Sequence, residues 1–168
     1  MSRPKPTDFP EYFGKYISKV ATDSLAEATR TYADALAAFY TAIPEAKALH
    51  RYAPDKWTLK EVLQHVIDTE HVMSYRLLRI ARKDKTPLAS FDENLFSENS
   101  LANERSFDSL KEEFLALRKS TDLLIASLNE EQLAASGTAS NKAITANSLG
   151  YIIYGHLLHH QQIIEERY

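Results

Sequence analysis

Apolar residues recur at three- and four-residue intervals along four long stretches of the chain, the spacing of one-sided α-helices. The first stretch runs from about Ser24 to Ala42, is rich in alanine and stops just before Pro44. The second begins at Thr58, where Thr58-Leu-Lys-Glu61 matches a capping box: the hydroxyl and the carboxylate satisfy backbone N–H groups that the first turn leaves free. It continues to about Ala81. The third extends from near Ser106, with Asp108 in its first turn, to near Leu128. The fourth extends from near Asn147 to about Arg167, with Leu149, Ile152, Ile153, Leu157, Ile163 and Ile164 in register.

Between them lie Ile43–Trp57, Arg82–Arg105 and Asn129–Ala146, long connections for an up-and-down bundle. Two of them could cross over, or they could wall a pocket, with a short helical turn expected at Asn129-Glu-Glu-Gln132. No run alternates as a strand would; Tyr151-Ile-Ile-Tyr154 comes nearest but lies inside a longer helical period. The pattern predicts an all-α fold: one domain over residues 1–168, a four-helix bundle with long inter-helix loops and an extended N-terminal segment. Three prolines among the first ten residues favour that extension.

Composition narrows the function. Twenty basic and 23 acidic residues are interspersed, for a formal net charge of -3, so the chain lacks the basic field of a nucleic-acid binder. The cluster Arg79, Arg82, Lys83 and Lys85 falls at a predicted helix C-terminus, where cations offset the helix dipole. There is no cysteine, which removes disulfides, thiolate ligands and a cysteine nucleophile. No apolar run reaches membrane-spanning length and the N-terminus carries no apolar signal core. A cytoplasmic protein without membrane or nucleic-acid partners is expected.

Candidate chemistry lies in the histidines. His156 and His160 project from the middle of the fourth helix's apolar face, stacked on adjacent turns by their four-residue spacing. A buried polar group without a partner costs on the order of 1–3 kcal/mol. A metal ion would satisfy both rings, at the spacing zinc-binding helices use; hydrogen bonds to side chains or buried water are the alternative. His159 sits on the shoulder of that face, and His50 and His71 face solvent. On the second helix the apolar face is Leu59, Val62, Leu63, Val66, Met73 and Leu77. His65 lies at its edge, which by spacing alone makes it a rim residue. Glu70 lies in its middle and needs a partner: an arginine, a ligand histidine's N–H, or a metal as fourth ligand.

Three segments together resemble the DinB superfamily of metal-binding helical bundles: Pro54-Asp-Lys-Trp-Thr-Leu-Lys-Glu-Val-Leu-Gln-His65-Val-Ile-Asp-Thr-Glu70, Phe91-Asp-Glu-Asn94, and Gly155-His156-Leu-Leu-His-His160-Gln-Gln-Ile163. The likeness extends from the Tyr12–Val20 region to the C-terminus. The family pattern, one histidine in the second helix and a His-x3-His pair in the fourth, is filled by His65, His156 and His160. It is this resemblance that makes His65 a ligand. It also implies a homodimer and a small-molecule substrate. Members of the family transfer low-molecular-weight thiols to electrophiles, isomerise small acids with a thiol cofactor, or act as metal-dependent hydrolases.

Three imidazoles with an open position make a catalytic type of site. Zinc suits it best, and nickel, iron or manganese fit the same donors. Such an ion can acidify water or steady a thiolate. The expected function is thiol S-transfer to a small electrophile, with a low-molecular-weight thiol as co-substrate; the alternatives are a metal-dependent hydrolase and a non-catalytic, metal-stabilised dimeric bundle. A base or orienting acid could come from Asp92, Glu93 or Asp68, although Asp92 and Glu93 also suit plain loop capping. Glu70 and Asp92 are the candidates for supporting or substrate contacts. Trp57 is expected in the core beneath the second helix, with a pocket wall as the alternative.

Overall fold

Each long helix starts where a side chain caps it. In the computed structural model, which describes residues 1–168, Ser24 accepts from the Glu27 amide and opens α2 (Leu25–Ala42). The Thr58–Glu61 capping box forms as expected and opens α3 (Leu59–Ala81). Ser106 caps α5 (Phe107–Ala126) and Thr145 caps α7 (Ala146–Arg167). Shorter helices fill in between: α1 (Gly14–Ile17), α4 (Glu93–Asn99) and α6 (Glu130–Ala134), the last opened by an Asn129–Gln132 capping box at the expected helical turn.

The principal packing runs α2 to α7, α7 to α3, α3 to α5 and α5 back to α2. The four long helices thus form a ring in which α2 lies diagonal to α3, and α5 diagonal to α7. Two of the long connections make those diagonal crossings. The remaining one, between α3 and α5, links neighbours. Its length goes instead into α4 and the segment before it. A cluster of 35 buried apolar residues joins all four helices.

Two expectations need correction. The chain is not purely helical: β1 (Ser136–Ala139) and β2 (Lys142–Thr145) pair antiparallel, with Ser136 opposite Thr145 and Ala139 opposite Lys142. Ser140 and Asn141 make the two-residue turn at left-handed φ values of 50° and 61°, as a type I′ hairpin requires at both positions. The hairpin also steadies the loop after α3, since the Leu88 amide donates to Thr138 O and the Ser140 amide to Leu88 O, each at 2.9 Å. The N-terminal segment is not wholly extended either. It makes 3-10 turns at Pro6–Asp8 and Glu11–Phe13 before α1.

That N-terminal part covers the outer side of α7, so every residue from Ala146 to Leu157 is buried, not one face alone. Gly155 permits the approach. A Cβ there would lie 2.2 Å from the Tyr16 carbonyl oxygen. No helix is long and apolar enough to cross a membrane.

Candidate metal centre

α3 and α7 bring His65, His156 and His160 together in the bundle interior. His65 Nε2 and His160 Nε2 each lie 3.1 Å from His156 Nε2, and all three residues are buried. The convergence follows from the packing: His156 and His160 stack on successive turns of α7, and α3 lays the edge carrying His65 against them. Trp57, just before the cap of α3, leans on His65 with ring centroids 4.8 Å apart. Trp57 is therefore a wall of the site and not only a core residue. Tyr16 of α1 meets the His156 ring edge-on at 5.4 Å, held there by the close approach at Gly155.

Burial dominates the electrostatics. It pulls the His65 pKa from 6.5 to about 4 and that of His160 to about 2, each lowered further by neighbouring histidines. His156 falls well below its ordinary value for the same reasons. All three rings are neutral at neutral pH, the state in which imidazole can donate a lone pair to a metal. The spacing suits one ion: with metal–nitrogen bonds of about 2.0–2.1 Å, two nitrogens on a tetrahedral zinc stand about 3.3 Å apart. Three neutral nitrogen donors without a thiolate or carboxylate fit a borderline divalent ion.

Two cavities flank the triad. The larger, about 750 Å³, is bordered by His156, Tyr16, Thr69, Arg76, Phe91 and Asp92, among others. The smaller, about 310 Å³, is bordered by His160, Trp57, Lys56 and Tyr168. Asn94, in the first turn of α4, borders both. The long loop after α3 thus walls a pocket, as its length suggested.

The other candidates divide. Asp92 borders the larger cavity, but its Oδ1 accepts from the Asn94 and Leu95 amides at 2.9 and 3.2 Å as the cap of α4. Glu93 lies exposed on the same rim. Asp68 accepts from Gln64 at 2.8 Å and borders neither cavity. Glu70 takes the arginine partner: its Oε1 accepts from Arg118 Nη1 at 2.7 Å. His159 is half-buried beside Tyr16, and His50 and His71 are exposed. Arg76 and Tyr16 escaped the sequence reading. Arg76 had a legible signal: Thr69 and Arg76 follow His65 by four and eleven residues, one and three turns along the same edge of α3.

A four-helix ring with a buried three-histidine cluster between two of its helices defines a class of helical bundle whose interior could hold a metal ion. The DinB superfamily model matches residues 27–164, and the chain belongs to that superfamily. No curated protein matches it. Among solved structures it is similar to YfiT from Bacillus subtilis, described as a probable metal-dependent hydrolase with an unusual four-helix bundle topology. The TM-score is 0.66 and the identity 19%, over 98% of this chain and 91% of that one. It is also similar to a mycothiol-dependent maleylpyruvate isomerase, at a TM-score of 0.66 and 12% identity, over 92% of this chain; there it spans only 60% of the other chain's length. At these identities the likeness shows the shared fold.

Proposed function

We propose that the protein is a divalent-metal-dependent enzyme of the thiol S-transferase type, with His65, His156 and His160 as the metal ligands and a small electrophile as substrate. The observation that carries the reading is the convergence of three neutral, buried Nε2 atoms at 3.1 Å contacts beside open cavities. When bound, a divalent ion supplies Lewis acidity and steadies an anionic sulfur. The chain's own residues do the rest. The imidazoles bring their Nε2 atoms together, Trp57 and Tyr16 pack against two rings of the triad, and Asn94 borders both cavities.

Two cavities on opposite members of the triad favour a two-substrate reaction, with thiol and electrophile entering separately. Hydrolysis, the second reading, needs only one organic substrate and is supported by the description of YfiT. The homodimer belongs with the proposal: Tyr75 and Leu78 of α3 and Leu123 of α5 are exposed apolar side chains available for pairing.

Elemental mass spectrometry on tag-free protein tests the centre. About one metal per chain is expected, the loading of a single site, with His65→Ala and His156→Ala both lacking it. A chain that refuses Zn²⁺, Ni²⁺, Fe²⁺ and Mn²⁺ would reduce the histidines to a hydrogen-bonded polar patch. A panel of low-molecular-weight thiols and electrophiles then separates transfer from hydrolysis.

A further inference from the structure

The molecule buries two arginines on facing helices, and only one has an acid. Arg118 pairs with Glu70 and Asp122. Arg76 is also little exposed, at 3%, though it lines a cavity, and its partners are all neutral: Nη2 donates to Ala89 O at 2.6 Å and to Ser140 Oγ at 3.0 Å, while Nη1 meets only the Met73 sulfur at 3.8 Å. Burial holds its pKa below the ordinary guanidinium value, and no neighbouring carboxylate counters that. A buried cation without a counter-charge is costly, and proteins rarely keep one.

Arg76 also borders the larger cavity, together with His156. Its setting is built from two parts of the fold. The loop after α3 supplies Ala89, whose carbonyl fixes one side of the fork. The hairpin turn supplies Ser140. Phe91 lies with its ring centre 5.7 Å from the guanidinium carbon. These contacts fix the group while leaving Nη1 without an oxygen acceptor. The cavity's two acids do not neutralise it: Asp92 is engaged in capping α4 and Glu93 lies exposed at the rim. The remaining wall includes the aromatic residues Tyr12, Phe13 and Tyr16.

We infer that Arg76 is the anchor for a carboxylate, and that the larger cavity takes a small acid with an apolar or conjugated body lying toward His156. A guanidinium fork matches a carboxylate in geometry as well as charge. Identifying that acid as the electrophile rests on the proposed function; the binding of a carboxylate by Arg76 does not.

The test compares cinnamate with cinnamamide, an acid and its neutral counterpart with the same unsaturated body, by isothermal titration on the full chain. The unsubstituted protein is expected to favour cinnamate at least about tenfold, the scale of one charged hydrogen bond. A metal ion could also take the carboxylate, so the comparison is repeated with His65→Ala. The preference is expected to persist there and to vanish in Arg76→Met. If it vanishes in His65→Ala but survives in Arg76→Met, the carboxylate sits on the metal and the anchor falls, while the metal centre stands. Equal binding of acid and amide, or binding of neither, also overturns the anchor. Should Arg76→Met fail to fold, Arg76→Lys decides. A several-fold loss of the preference supports the fork, and an unchanged preference overturns it.

Discussion

Two polar clusters interrupt the apolar surface of α3, and they differ in how they are satisfied. The first is centred on Glu70. Its carboxylate meets Arg118, which also pairs with Asp122; Asp122 in turn accepts from Tyr154 Oη at 2.7 Å, and Tyr154 donates its ring face to the same guanidinium 5.0 Å away. Charges there close on one another across α3, α5 and α7. The second runs along the edge marked by His65, Thr69 and Arg76. Its groups face each other or neutral atoms, and Thr69 and Arg76 border open space. A cluster whose charges pair with one another within the protein is a brace between helices. A cluster with lone pairs and an uncompensated cation beside a cavity is arranged for something that arrives.

The largest expected effect separates the two. Arg118→Met strands Glu70 in the core, and breaking a buried pair costs roughly 3–5 kcal/mol. Urea unfolding should show that loss. His65→Ala, studied without metal at neutral pH, removes a neutral ring and strands no buried charge, so the same measurement should show a smaller change. A large loss from His65→Ala in metal-free protein would mean that the histidine cluster is itself a brace.

Metal then sharpens the contrast. A ligand that binds only the folded state at a thousand times its dissociation constant stabilises by about 4 kcal/mol. Added zinc should raise the melting temperature of the unsubstituted protein and of Arg118→Met, and leave His65→Ala and His160→Ala unmoved. Equal shifts in all four would place the ion elsewhere.

Acid provides the next test. The His65 pKa falls from 6.5 unfolded to about 4 folded, so the unfolded chain binds the proton more readily. The neutral ring's contribution is complete above pH 6.5 and is lost as pH falls toward 4, by roughly 3 kcal/mol for a shift of this size. Metal-free protein should therefore lose stability across that window, and His65→Ala should flatten the profile. An identical profile in both proteins would show that His65 is not buried as a neutral ring.

Much of this arrangement was legible in the sequence. The four long helices declared themselves through their period, and the Thr58–Glu61 box marked the start of α3, because those signals are local. The His156–His160 pair stood out for the same reason. The buried partner of Glu70 was foreseeable as a type but not as Arg118, since that contact depends on how α5 lies against α3. The hairpin escaped because its strands are four residues each and its turn is Ser140-Asn141, without the glycine that usually marks such turns. The all-round burial of α7 escaped because the covering segment, α1 and the residues before it, is distant in sequence and short. Arg76 was hidden by familiarity: a charge at the edge of an amphipathic stripe reads as solvated unless the loop and hairpin that bury it are known.

The smallest expected effect concerns Asp92, which borders the larger cavity and also caps α4. The two roles predict different losses. A cap on a seven-residue exposed helix is worth about 1 kcal/mol, felt locally. Asp92→Ala should accelerate hydrogen exchange at the Asn94 and Leu95 amides and leave metal content and global unfolding nearly unchanged. Asp92→Asn keeps an oxygen that can cap, and should restore the protection. If activity, once a substrate is found, falls in Asp92→Ala and returns in Asp92→Asn together with the protection, the residue acts by holding Asn94 over the two cavities. If activity stays lost in Asp92→Asn while the amides are protected again, the carboxylate's charge is needed at the reacting centre, and the capping account is insufficient.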